Sequence, residues 1–78
     1  MKRISIDSSS ITSIGYDPDG LELEIEFLQS GDVYLYFDVP AEEQRDFMEA
    51  DSKGTYLNQV FKLEGYRFAV VRRQTLPG

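Results

Sequence analysis

The sequence predicts an α+β domain in which a three- to four-stranded antiparallel sheet carries two short helices on one face. Three observations predict it. Apolar and acidic residues alternate strictly from Leu21 to Phe27 within the run Leu21 to Leu28, an aromatic and β-branched run follows from Asp32 to Pro40, and the apolar spacing then changes to three and four residues between Ala41 and Leu63. Period two gives a strand with one buried and one wet face, whereas returns at three and four give a helix with an apolar stripe. A chain of 78 residues makes one domain, residues 1–78. At this size only about 60% of the unfolded surface is buried, which leaves no material for a second core.

Taken in order, Arg3-Ile4-Ser5-Ile6-Asp7 alternates like a short edge strand, and Ser8-Ser9-Ser10 interrupts it. Hydroxyl side chains compete for backbone hydrogen bonds and favour a turn there. Ile11 to Asp17 suits the first strand of a meander, closed by the turn Asp17-Pro18-Asp19-Gly20, and Gly15 inside it marks a bulge or a close backbone approach. In the second strand Leu21, Leu23, Ile25 and Phe27 face the core, while Glu22, Glu24 and Glu26 form an acidic comb on the wet face. Ser30-Gly31 reads as a two-residue hairpin turn. That turn pairs Phe27 with Tyr34 and Ile25 with Tyr36, so both tyrosines point to the buried side and Val33, Leu35 and Phe37 to the side of the comb.

Beyond Pro40, Glu42 and Glu43 sit where a helix dipole favours anions, and Phe47 lies on an inward stripe, which predicts a helix from Ala41 to Ala50. Ser52-Lys53-Gly54 breaks it. Tyr56, Leu57, Val60, Phe61 and Glu64 give a second helix, Thr55 to Leu63, ended by Gly65. Phe68 to Arg73 is expected to add a strand to the sheet, in the same chain or across a dimer, with Arg67, Arg72 and Arg73 available to the glutamate comb.

The composition excludes several kinds of chemistry. Without cysteine or histidine the chain has no disulfide, no thiolate or imidazole metal ligand and no near-neutral general base. Ser8-Ser9-Ser10 has nothing to activate a nucleophile, and no catalytic residue is assigned. The glutamates of the comb stand about 6 to 7 Å apart and cannot converge on one ion, and Asp17-Pro18-Asp19-Gly20 lacks the spacing of a calcium loop, so no metal or cofactor is expected. No run approaches the roughly 18 apolar residues of a membrane span, and the protein is expected to be soluble and cytoplasmic. Charge is uneven: residues 1–51 carry a balance of −10 and residues 52–78 one of +4, for −6 overall. That total opposes general polyanion binding, while the basic C-terminal third keeps a local version of it. Tyr34 and Tyr36, two apart on a strand, are either packed beneath the helices or a stacking platform of the kind that sheet-based readers of single-stranded RNA use.

Ser9-Ser10-Ile11, Ile14-Gly15-Tyr16-Asp17, Leu21 to Phe27, Gly31, Tyr34-x-Tyr36, Val39-Pro40, Ala50-x-Ser52-x-Gly54-x-Tyr56-x-Asn58 and Tyr66 together resemble the KTSC domain. That small domain occurs at the C-terminus of some lysyl-tRNA synthetases and as stand-alone bacterial or phage proteins. The resemblance covers about residues 8–66, leaving 67–78 as a C-terminal strand and tail. It implies that Gly15, Tyr16, Tyr34, Tyr36 and Gly54 are motif positions of structural kind, and it implies RNA or tRNA as a partner. The function expected is therefore a non-enzymatic binding module, weakly RNA-associated through Lys53, Tyr56, Asn58, Lys62, Arg67, Arg72 and Arg73. The alternative is a protein-interaction or self-association module that works through the sheet without nucleic acid.

Overall fold

The computed structural model describes residues 2–72; Arg73 lies outside them, and of Arg72 only the backbone lies within. Five strands, β1 (Arg3–Ser5), β2 (Ile11–Asp17), β3 (Glu22–Phe27), β4 (Val33–Tyr36) and β5 (Phe68–Arg72), form one antiparallel sheet in sequence order. The expectation of three to four strands is thus corrected to five. The added strand is β1, whose Arg3, Ile4 and Ser5 pair with Gly15, Ile14 and Ser13. The helices, α1 (Ala41–Glu49) and α2 (Lys53–Tyr56), lie between β4 and β5 in the chain, and α2 continues through a π-helical turn (Leu57–Phe61) and a 3-10 turn (Lys62–Glu64). That whole segment is called the second helix below.

The alternation in β3 does what its period demands. Leu23 and Ile25 are fully buried, with Tyr16 and Ile14 opposite them on β2, while Glu24 and Glu26 face Gly15 and Ser13 on the other side. An irregularity between Ile11 and Ser13 lets Ile11, paired with Phe27, also enter the core, so the bulge lies earlier than Gly15. Leu21, expected in the core, is 38% exposed and has a φ of 55°. It belongs to the turn, where Asp17 accepts a hydrogen bond from the Asp19 N–H at 3.0 Å, and β3 starts one residue later.

The β3–β4 hairpin corrects the predicted register. Ile25 pairs with Tyr34 and Leu23 with Tyr36, not Phe27 with Tyr34. The loop is Leu28 to Gly31, closed by the Phe27 N–H on the Asp32 carbonyl and the Gly31 N–H on the Phe27 carbonyl, both at 2.9 Å. Gly31 takes the left-handed φ of 73° that ends it. The displacement is two residues, and because strand faces repeat every two residues, Tyr34 and Tyr36 stay on the helix-covered side.

On that side Phe47 of α1 and Leu57 and Phe61 of the second helix complete a core with Ile11, Ile14, Leu23, Ile25, Tyr36 and Val39. Local chemistry sets the helix ends. Pro40 precedes α1, the Ser52 hydroxyl accepts from the Thr55 N–H at 3.3 Å, and Gly65 leaves the 3-10 turn with a φ of 74°. At Gly54 a Cβ would meet the Ser10 hydroxyl at 3.0 Å, so this glycine lets the helix approach the serine bend.

Tyr36 is 6% exposed, whereas Tyr34 is half-buried. Tyr36→Ala is expected to cost about 3 kcal/mol, as large-aromatic truncations in cores do, and Tyr34→Ala clearly less. Urea unfolding of the two variants checks this, and equal midpoints would contradict the difference in burial.

Candidate functional site

The second helix and the β3–β4 loop enclose an open groove of about 480 Å³. Its floor is aromatic: Phe27, Tyr34 and Tyr36 come up from the sheet, while Leu57, Asn58 and Lys62 descend from the helix and Ser10, Gln29, Ser30 and Asp32 form the rim. Helical spacing explains the wall. Leu57 and Phe61, four apart, are 2% and 1% exposed and point into the core, so Asn58 and Lys62, each one residue later, emerge together beside it. The Asn58 amide donates to the Gly54 carbonyl at 3.0 Å, which holds the side chain against the helix. Among the described residues Lys62 makes no ion pair.

The floor is ordered by ring contacts. Tyr34 meets Phe27 edge to face at 5.1 Å and 77°, and lies nearly parallel to Phe68 of β5 at 5.2 Å and 15°. Tyr36 meets Phe61 edge to face at 4.9 Å, tying the floor to the core. Burial, and secondarily the neighbouring Tyr34, push the Tyr36 phenol up to about 12. It stays a neutral donor at physiological pH.

The other residues singled out in the sequence lie elsewhere. Tyr56 and Tyr66 both donate to the Glu43 carboxylate, Tyr66 at 3.3 Å, joining α1 to the second helix and to the approach to β5. Desolvation first and Glu43 second raise both phenols, Tyr66 to about 12 and Tyr56 further. Tyr16 donates to the Val39 carbonyl at 2.6 Å, and burial followed by Asp17 raises it too. The Lys53 ammonium donates to the Ala50 carbonyl at 2.8 Å and so caps the end of α1. Arg67 pairs with Asp38 at 3.0 Å, largely exposed, with its guanidinium 5.8 Å from the Phe37 ring. Arg72 is placed by its backbone opposite Val33, and Arg73 falls outside the described residues. The groove therefore gathers Asn58 and Lys62 with Tyr34 and Tyr36, and not Lys53, Tyr56 or Arg67.

On the helix-free face, the glutamate comb meets Arg3 and not Arg67 of the tail. Arg3 reaches Glu24 at 2.8 Å and Glu26 at 3.4 Å, and the Ser13 hydroxyl donates to Glu26 at 2.9 Å. Gly15 lies in register between Arg3 and Glu24, and the ion pair spans it. Phe27, Arg3 and Glu43 were not among the sequence candidates. The alternation of residues 3–7 was the available signal for Arg3, while Glu43 carried only a helix-dipole signal. Among the described residues no group of three or more acidic side chains is arranged to hold a metal, and no helix is long and apolar enough to cross a membrane.

Comparison with known proteins agrees with this arrangement. The KTSC domain family matches residues 7–66, which include the whole groove but neither β1 nor β5. An uncharacterized protein of Stutzerimonas stutzeri is 50% identical over 68 residues, 87% of this chain and 94% of the relative. A protein of Tsukamurella paurometabola is 39% identical over 57 residues, 73% of this chain and 84% of its own. The crystal structure of a KTSC domain protein from Yersinia pestis superposes with a TM-score of 0.84 at 39% identity, covering 91% of this chain and 97% of that one.

The raised phenols make stability depend on alkali. A tyrosine whose folded value exceeds its ordinary 10.0 contributes in full below about pH 10, and its contribution is lost as pH rises through the folded value of about 12. The urea midpoint is therefore expected to fall between about pH 10 and 12. Tyr66→Phe should soften that fall, and an identical fall in wild type and variant would deny the Tyr66–Glu43 bond a role in it.

Proposed function

We propose that this chain, which belongs to the KTSC domain family, is a small non-enzymatic binding module that takes unpaired RNA bases in the groove between the second helix and the β3–β4 loop. One observation carries the reading: Tyr34 is half-buried on the groove floor, braced by Phe27 and Phe68, with Asn58 and Lys62 on the facing wall. A braced, partly open ring is what an unpaired base needs for stacking, worth about 1–3 kcal/mol per base. Lys62 supplies a cation for one phosphate, and Asn58 a polar group for a base edge.

Charge supports a short contact. Arg3 is committed to the comb and Lys53 to a cap, and Arg67 stands beside Asp38 outside the groove, so a phosphate contact in the groove rests on Lys62. With −6 overall, the affinity rests on stacking, and a partner of this kind gives the module a cytoplasmic place of work. A second reading, protein contact through the sheet, is favoured by β5, where Phe68 is 54% and Val71 49% exposed.

Fluorescence anisotropy with a short labelled single-stranded RNA tests the first reading. Binding should weaken by about tenfold in Tyr34→Leu, the loss of roughly one stacking contact, and be retained in Tyr34→Phe. The log-log salt slope should be no steeper than about −0.7 to −1, one phosphate, and should flatten in Lys62→Gln. A slope that reports four or more phosphates, or binding indifferent to both variants, would place the contacts outside the groove.

A further inference from the structure

We infer that the free edge of β5 is a docking strand for an extended segment of a partner protein, apolar at its centre and acidic at both ends. The inference rests on the second reading above and names its partner chemistry.

Among the described residues β5 is the last strand in the sheet order, so one side of it is unpaired. The Phe37 N–H donates to the Arg67 carbonyl at 2.9 Å. In an antiparallel ladder hydrogen-bonded and non-bonded pairs alternate, so Phe68 and Val70, opposite Tyr36 and Tyr34, turn their own N–H and C=O groups to the open edge. The side chains are unfinished as well. Phe68 stacks on Tyr34 yet remains 54% exposed, Val71 is 49% exposed, and Ala69, on the helix-free side, is exposed too. An added strand would supply hydrogen-bond partners for Phe68 and Val70 and cross-strand neighbours for the exposed apolar groups.

Charge selects the occupant. The apolar run Phe68-Ala69-Val70-Val71 is bracketed by Arg67 and Arg72 in a chain whose net charge is −6. A second copy of this chain fits poorly. Antiparallel pairing of two β5 strands brings the Arg72 end of each beside the Arg67 end of the other, and like charges across neighbouring strands are destabilising. The irregular register opposite Val33 and Tyr34 further confines the regular edge, a common guard against open-ended pairing. Acidic residues at both ends of an incoming strand would lie beside the two arginine positions of β5 and its approach. Arg67 can exchange its present partner at little cost, because its pair with Asp38 is exposed on both sides, 78% and 75%. The opposite sheet edge offers no equivalent: β1 spans three residues, and its Arg3 is committed to Glu24 and Glu26.

The test uses the full chain and three synthetic peptides with the same alternating apolar centre: one flanked by glutamates, one by lysines, and one glutamate-flanked with alternate amides N-methylated on the edge that would pair. Amide NMR and hydrogen exchange are the readouts. The glutamate-flanked peptide should bind at least about tenfold more tightly than the lysine-flanked one, protect the Phe68 and Val70 amides, and lose binding on N-methylation. The double change Arg67→Glu, Arg72→Glu should reverse the charge preference. Equal binding of both flanking types would overturn the partner chemistry while leaving contact through the sheet. Binding that survives N-methylation, shifts confined to the groove, or no binding by any peptide would overturn the docking strand itself. Protection of Phe68 and Val70 without peptide, with a dimer by light scattering, would assign the edge to a second copy.

Discussion

The position of Phe61 governs the rest of the structure. Its ring meets Tyr36 of the sheet at 4.9 Å, Phe47 of α1 at 5.3 Å and Tyr66, on the way to β5, at 5.0 Å. One side chain thus joins the two layers and the return of the chain to the sheet. The π-helical turn from Leu57 to Phe61 is the local consequence. A wider turn keeps both residues inward over a four-residue step, and π-turns of this kind often occur where a helix carries a site. Asn58 and Lys62 reach the groove because their predecessors are fixed in the core.

Residue patterns conveyed the faces of the fold better than its registers. Alternation in β3 and the aromatic content of β4 assigned Tyr34 and Tyr36 to the helix side, and that survived an error of two residues in the hairpin because parity has period two. Gly31 signalled a positive φ, but the same glycine ends a four-residue loop as readily as a two-residue turn, so the pairing could not follow from it. β1 was harder to see. Its residues are all exposed, it has no core-facing signal, and besides its backbone pairing with β2 its side-chain partners are two glutamates more than twenty positions away, met by Arg3. The groove was not legible at all as a unit, since its walls come from Ser10, from Phe27 to Tyr36 and from Leu57 to Lys62.

Counting cations also misled, for a physical reason. A basic residue contributes to a given binding face only if it reaches that face and no nearer partner claims it: local partners claim Arg3 and Lys53, and Arg67 lies outside the groove. Arg3 relieves a problem the acidic comb creates for itself. Glu24 and Glu26 lie on the same face of one strand, about 6 to 7 Å apart, and the guanidinium fork bridges them. The charge of these two glutamates is thereby tied into the fold on the helix-free face, away from the groove.

The two surfaces proposed for ligands are not independent. Phe68 belongs to the β5 edge and Tyr34 to the groove floor, and their rings lie nearly parallel at 5.2 Å. A strand docked on β5 would order Phe68 and with it the ring a base would stack on; a base stacked on Tyr34 would in turn brace Phe68. Because linkage between binding free energies is reciprocal, a gain at one surface must appear as an equal gain at the other. Tyr36 limits how far such coupling spreads, since it is pinned between Phe61 and the sheet and buried. Such coupling would run through the outer rings Tyr34 and Phe68, with Tyr36, in contact with both, anchoring them to the core beneath.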